Sequence, residues 1–411
     1  MATLNEKQKN ILISIENGKN AFITGFAGSG KSFLTEYICK INKKIALTAM
    51  TGCASLLING KTLHSTLGIG LGKGEVKDLI KRMRRKEGLL PYLLSLEVLI
   101  IDEVSMLSNV LFDKIAEIFK ILHKSDKPFG NLQIILVGDM SQLKPIEDDY
   151  CFFAKYWDSS LFEVSVLTEN MRINSDIPFD ILLQKLRLGV LTDFALIEKM
   201  KNNTFDGDVL PTKLFSINKD VETVNNYELG ELLKDGKESI SYKIQYSSNP
   251  IKLKESTKYT SDNKISEFLT ICIGAQVMVT RNIDFDSQIV NGTRGIVVSL
   301  NTLFITIKLI NGTLYNVGYF HVKPLDELTK NLDFKYLPLS LSWAISIHKS
   351  QGATIDLLEI DLGESIFAAG QMYVAISRAR NSRSVKITNF NKKSIKFSKS
   401  VIDFYNKYMI N

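Results

Sequence analysis

Residues 21–32 read AFITGFAGSGKS. The apolar run Ala21 to Thr24 enters a glycine-rich turn, Gly25 to Ser32, and the turn leads into FLTEYICK, whose apolar residues have helical spacing. This is G-x-x-x-x-G-K-[ST] with the strand before it and the helix after it that the motif needs. Gly25, Gly28 and Gly30 let the chain turn tightly, so that backbone N–H groups of the loop, Ser29 included, converge on phosphate oxygens at a helix N-terminus. Lys31 is expected to reach the β- and γ-phosphates of a nucleotide, and the Ser32 hydroxyl to hold Mg²⁺.

Working outward, IALTA (45–49), VLII (98–101) and IILV (134–137) are short apolar runs separated by helical stretches. Runs that are apolar on both faces read as buried parallel strands, so residues 1–165 read as one α/β nucleotide-binding domain. Its chemistry belongs at the carboxyl ends of the strands. There VLII runs into Asp102-Glu103, and IILV into Gly138-Asp139 with Gln142 close behind. Asp102 is assigned to the metal, Glu103 to polarising the attacking water, and Gln142 to sensing the γ-phosphate. Upstream, Leu4, Gln8, Ile11, Leu12 and Ile15 fall at helical spacing. Gln8 is thus either a solvated helix glutamine or an amide that can both donate to and accept from an adenine edge.

Between the second strand and the acidic pair, TGCASLLINGKTLHSTLGIG carries Thr51, His64 and Ser65, donors suited to a phosphate backbone. KRMRRK (81–86) reads as a basic helix face. From residue 166 a second α/β pattern begins: LTENMR ends in Arg172, KLFSIN, LEIDL and SVKIT are strand-like, and GQMYVAISRAR is helical and contains Arg378. It has no phosphate loop of its own. Residues 245–335 differ, with β-rich runs and Asn311-Gly312 as a hairpin signal, and read as a small barrel inserted in the second domain. The stretch 240–268 is polar and reads as loops or a flexible entry.

Composition sets the class. With 45% hydrophobic and 23% charged residues over 411, the chain reads as soluble and globular, and its net charge of +7 suits a polyanion without requiring one. Cys39, Cys53, Cys151 and Cys272 lack metal-site spacing, which argues for a reducing, intracellular compartment. Neither a signal peptide nor a membrane-length apolar run is evident.

GFAGSGKS, TLHS, DEVSML, KPFGNLQIILVGDMSQLKPI, LTENMR, LRLG, GAQVMVTRN, NGTRGIVV, LSLSWAISIHKSQGAT and GQMYVAISRAR follow in order between residues 25 and 380, within a resemblance that runs from about residue 4 to residue 388. In this the chain resembles the PIF (petite integration frequency) family of superfamily 1B DNA helicases, with RecD-type enzymes as cousins. The stretch from DEVS to the GD-x-x-Q-L motif, with KPFG before its strand, is the most discriminating part. Departures are AMTG (49–52), where the family often has APTG, and GDMSQLKP (138–145), where it has GDFFQLPP.

The resemblance implies an α/β fold of two RecA-like parallel-sheet domains forming an ATP cleft, with a small SH3-like β-barrel inserted in the second. The expected boundaries are 1–165, with a DNA-facing insertion at 60–92; 166–244 and 336–411; and 245–335 for the barrel. It also implies 5′-to-3′ translocation on single-stranded DNA and unwinding of forked or tailed duplex by a monomer. Arg172 and Arg378 become γ-phosphate ligands. His348, Lys349 and Ser350, within SIHKSQG, become the second domain's grip on DNA, with Thr51, His64 and Ser65 as counterparts. His64 and His348 read equally as structural histidines. Phosphate contacts alone leave an RNA helicase, or a nucleotide-switched DNA-binding subunit, as alternatives.

Overall fold

Strands buried along their whole length organise the chain. The computed structural model describes residues 4–145, 148–158, 161–169, 176–262, 265–284, 287, 289–322 and 331–409. These divide into two compact units, residues 1–175, 183–190 and 397–411 in the first, and 176–182 and 191–396 in the second.

In the first unit six strands form a sheet in the order Lys61–Thr62, Ile45–Ala49, Val98–Asp102, Gln133–Val137, Ala21–Gly25, Glu163–Leu167. Every pairing is parallel. The three central strands, at 98–102, 133–137 and 21–25, are buried at every position, which is why their sequences lack a polar face. Their adjacency sets the ends Asp102, Gly138 and Gly25 side by side, the arrangement on which an α/β site is built. Behind the sheet, helix Glu6–Glu16 is capped reciprocally by Asn5 and Gln8 and buries Ile11 and Ile15. In helix Val76–Arg84 the basic run is a solvated face, with Leu79, Ile80 and Met83 turned inward.

The KPFG stretch has a local structural reason. Phe129, Gly130 and Asn131 are successively left-handed, at φ 57°, 60° and 68°, a turn few side chains tolerate. A Cβ at Gly130 would meet the Phe119 carbonyl oxygen at 2.4 Å. The turn seats Phe129 edge-on against Phe112, ring centroids 5.1 Å apart.

Residues 397–411 belong with the first unit, where the expected boundaries placed 336–411 with the second domain. The reason is aromatic packing. From helix Lys399–Met409, Phe404 stacks on Phe152 at 4.4 Å and touches Trp157 and Phe22 at 5.8 and 6.0 Å. Residues 183–190 join them, and Gly189 lies so close to the Phe397 ring that a Cβ would sit 2.6 Å from it.

The second unit holds a four-stranded parallel sheet, ordered Ala344–Ser346, Thr212–Phe215, Leu358–Leu362, Val385–Phe390. Between its first and second strands in the sequence lies an antiparallel region. Its main sheet runs Leu314–Gly318, Phe304–Leu309, Arg294–Leu300, Gln276–Val279, Leu339–Leu341. Gly312 turns the expected hairpin at φ 83°. The antiparallel pairing starts at Ser239 and ends at Leu341, wider than 245–335. Buried Arg294 ties this region to the parallel sheet, donating to the carbonyls of Leu357 and Leu210.

The expectation of loops at 240–268 is corrected. Strand Ser239–Lys243 pairs with Phe268–Cys272, and helix Pro250–Asp262 stands between them. Composition hid the helix because its buried face is built of hydroxyl residues, Ser256, Tyr259 and Thr260. Two of those hydroxyls find partners outside the helix: Ser256 Oγ accepts from the Asp333 N–H at 3.0 Å, and Thr260 Oγ1 bonds Tyr246 OH at 2.9 Å.

Candidate functional site

The phosphate loop closes on itself around its lysine. Gly28 and Gly30 are left-handed, φ 92° and 83°, and helix Lys31–Ile38 starts without a side-chain cap, so its first N–H groups are left to a ligand. Gly25 is needed for space, since a Cβ there would lie 2.5 Å from both the Leu167 carbonyl oxygen and Ser29 Oγ. Lys31 Nζ donates to the carbonyls of Gly25 and Phe26 at 2.8 and 3.0 Å. Burial pushes its ammonium pKa below the ordinary lysine range, while Asp139, Glu103 and Asp102 oppose that shift. Sequence positions 31, 102, 103 and 139 thus share one electrostatic environment. Ser32 is exposed at the helix start.

Asp102 ends a buried strand, and its Oδ1 accepts the Glu103 N–H at 2.8 Å. Burial raises its pKa to about 7, and the neighbouring Glu103 carboxylate adds to the rise. Glu103 sits at φ 52°, ψ 45°. For a residue other than glycine this left-handed turn costs on the order of 1 kcal/mol, a strain characteristic of functional positions. It begins a 3₁₀ turn, Val104–Met106, against which Gly138 packs so closely that a Cβ would lie 2.9 Å from the Val104 nitrogen.

Gln142 is 4% exposed; its N–H closes a turn onto the Asp139 carbonyl at 3.0 Å. The buried polar atoms of the first unit with no partner among the described residues include Gln8 Nε2, Ser29 Oγ, Ser141 Oγ and Gln142 Oε1. Such groups are costly unless something bonds them. Gln8 is fully buried rather than solvated, with Oε1 spent on the Asn5 N–H and Nε2 left to donate, which suits an adenine edge. Gln8 Nε2 and Ser29 Oγ can thus donate to a nucleotide, while Gln142 Oε1 can accept from a water beside its phosphates. The site also fits Mg²⁺. No group of three or more His, Cys, Asp or Glu gathers among the described residues, and an ion completed by phosphate oxygens and water needs only one carboxylate and a hydroxyl.

Asp139 is the best-connected group here, and the sequence reading assigned it no role. Both its carboxylate oxygens lie 3.0 Å from Arg187 Nε, and Oδ1 also accepts from Tyr405 OH at 3.1 Å. Arg187 ends the helix Ile177–Arg187, just inside the LRLG stretch. A sparse signal, an arginine on an apolar helix end, pointed to it; nothing local pointed to Tyr405.

The nucleic-acid candidates divide. In the first unit Thr51 Oγ1 accepts the Ala54 N–H at 3.1 Å as a helix cap, and His64 and Ser65 are half-buried on helix Leu63–Leu67. In the second, Lys349 is exposed and His348 half-buried. Burial lowers the pKa of both histidines and favours their neutral forms. Ser350 is fully buried and donates its hydroxyl to the Ile347 carbonyl at 2.8 Å, so it offers no hydroxyl to a phosphate in this conformation.

Arg172 lies outside the described residues. Arg378, 4% exposed at the end of helix Gln371–Ser377, is committed inside its own unit. Its Nε donates to the Val374 carbonyl at 3.0 Å, Nη1 to those of Ser350 and Ala353 at 3.2 Å, and Nη2 to Ser377 Oγ at 2.9 Å.

Comparison with known proteins matches residues 3–191 to the PIF1-like helicase model and residues 262–300 to that of the DNA helicase Pif1 2B domain. The chain is 34% identical over 98% of its length to the ATP-dependent DNA helicase PIF1 of Xenopus laevis, and spans 64% of that relative. To the ATP-dependent DNA helicase Pif1 of Bdellovibrio bacteriovorus it is 33% identical, covering 98% of this chain and 92% of the relative. Pif1 from Bacteroides, solved with ADP-AlF4, superposes with a TM-score of 0.81 at 28% identity over 99% of this chain and 97% of that one. The same protein bound to ssDNA gives a TM-score of 0.67 with the same identity and coverage.

Proposed function

The chain belongs to the PIF1-like helicase family, and from that premise we propose that it is an ATP-dependent DNA helicase that translocates 5′ to 3′ on single-stranded DNA and unwinds forked or tailed duplex. The reading rests on Lys31, held on the carbonyls of its own loop among three carboxylates, with unpartnered Gln142 Oε1, Ser29 Oγ and Gln8 Nε2 nearby in the same unit. A triphosphate substitutes for the two carbonyls as the partner of the ammonium. Backbone N–H groups at residues 28–32 then hold the phosphates. Ser32 and Asp102 would hold Mg²⁺, which would offset phosphate charge.

Glu103, re-aimed by its left-handed turn, accepts a proton from the attacking water. Gln142 bonds the γ-phosphate and registers its loss, Gln8 reads the adenine, and Arg378 stabilises charge developing on the transferred phosphoryl group. To do so Arg378 exchanges carbonyl acceptors that include Ser350, inside the second unit's SIHKSQG loop, and Ala353, just after it. Nucleotide chemistry and DNA grip are thereby linked through one side chain. Arg172 is proposed as a second γ-phosphate ligand, and the antiparallel region as the insertion. Thr51, His64, Ser65, His348 and Lys349 are proposed to touch DNA, Lys349 as the cation. The relatives' ssDNA-bound and forked-duplex structures support DNA as the partner.

Strand displacement on duplexes with a 5′ or a 3′ tail tests the proposal, with Lys31→Ala as the inactive control. Displacement of only the 5′-tailed substrate is expected. Displacement of only the 3′-tailed one removes the polarity, and ATP hydrolysis stimulated more by RNA than by DNA removes the substrate.

A further inference from the structure

We propose that Tyr405, from helix Lys399–Met409, and Arg187 are positioning residues that hold the loop carrying Gln142 in register with the phosphate loop. Four side chains and one peptide group, all within the first unit, form a closed hydrogen-bonded ring. Tyr405 OH lies 2.8 Å from Thr24 Oγ1, accepts the Met140 N–H at 2.8 Å and donates to Asp139 Oδ1 at 3.1 Å. Arg187 Nε spans both Asp139 oxygens at 3.0 Å, and its Nη2 reaches Thr24 Oγ1 at 3.3 Å.

One assignment of protons satisfies every bond. Thr24 donates to Tyr405, Tyr405 to Asp139, and Arg187 to both Asp139 and Thr24. The arginine also stacks on the tyrosine, 4.5 Å from the ring centroid. Thr24, Asp139 and Met140 are 0% exposed, Tyr405 1% and Arg187 6%, so water cannot replace a missing member at no cost.

What the ring joins gives it its role. Thr24 immediately precedes Gly25, where the phosphate loop begins, and Asp139 and Met140 are the first two residues of the turn that presents Gln142. The two segments leave adjacent parallel strands, but the last backbone tie between them among the described residues is Gly138 N–H to the Ile23 carbonyl at 3.1 Å. Beyond that point the ring takes over. Asp139 also acts electrostatically on Lys31, so the same ion pair sets the field at the lysine. None of the ring atoms needs to touch nucleotide; they act through Lys31 and Gln142.

This inference rests on the hydrolytic reading of the site. Tyr405→Phe tests it by removing one oxygen while keeping the ring on Arg187 and leaving Phe404 seated among its aromatic neighbours. The kcat of ssDNA-stimulated ATP hydrolysis is expected to fall about tenfold while KM for ATP moves less than twofold, because alignment rather than ground-state binding is lost. Arg187→Lys keeps the charge but not the fork and is expected to show the same split; it serves if Tyr405→Phe does not fold. A variant with wild-type kcat and only a lowered Tm overturns the positioning role. So does a rise in KM at constant kcat. Absence of DNA-stimulated hydrolysis in the wild type overturns the functional reading instead, so the two failures are distinguishable.

Discussion

The phosphate loop of the first unit and the SIHKSQG loop of the second both present a lysine and small hydroxyl residues, yet they handle their polar groups in opposite ways. Around the first, Gln8 Nε2, Ser29 Oγ and Gln142 Oε1 are buried without partners among the described residues. In the second, the Ser350 hydroxyl and three nitrogens of Arg378 are bonded to groups of their own unit. A buried group left unpaired favours the ligand that pairs it, whereas a satisfied group must break a bond before it can act. The first site is therefore preorganised, and the second responds only by exchange.

The largest test of that contrast compares Glu103→Gln with Arg378→Lys. Glu103→Gln removes the proposed proton acceptor and leaves the rest of the first site in place. Its kcat is expected to fall by roughly 10³-fold, with the binding of a fluorescent ATP analogue unchanged. Arg378→Lys is expected to lose a similar factor, on the order of 10³, and also some stability, because one ammonium cannot serve all the acceptors of a guanidinium. A drop in Tm for Arg378→Lys but not for Glu103→Gln supports the contrast. Equal melting temperatures would break it.

A smaller effect separates Lys349 from Ser350. If only the exposed lysine meets a phosphate, Lys349→Ala lowers the slope of log affinity for ssDNA against log salt by about 0.7, and Ser350→Ala leaves the slope unchanged. A slope that changes for both would place Ser350 on the DNA after all, and the loop would have to reopen to bind.

The smallest effect concerns the histidines. His64 and His348 have pKa values lowered by burial, so the folded chain favours their neutral forms. Their contribution to stability is present above the unfolded value near 6.5 and is lost as pH falls below it towards the folded values. Thermal melts of the wild type are expected to lose stability on the acid side of 6.5, and a His64→Asn, His348→Asn double variant to lose less there. Between pH 8 and 7 neither residue gains charge, so ssDNA affinity should not rise through them. An increase in that interval that the double variant abolishes would make them cationic ligands.

The parallel strands and phosphate loop of the first unit were legible because their signals are local. AFIT, VLII and IILV are apolar on both faces because the strands are buried on both faces, and the chemistry follows each within a few residues. Helix Pro250–Asp262 was not legible because hydroxyls satisfied by distant partners make up its inner face. The placement of residues 397–411 was also hidden, since it depends on Phe404 finding Phe22, Phe152 and Trp157.

The sequence alone determined the parallel strands, the phosphate loop and the acidic pair, because glycine spacing and strand burial are properties of contiguous residues. Only the tertiary structure decided which polar groups are free to act. Ser350 and Arg378 carry suggestive chemistry in the sequence, but their carbonyl acceptors in the fold occupy it. Conversely, Thr24, Asp139, Arg187 and Tyr405 lie up to 381 positions apart and become one hydrogen-bonded ring only when the chain brings them into a common dry interior. There, low dielectric makes each bond strong and each missing bond expensive, a condition no stretch of sequence creates by itself.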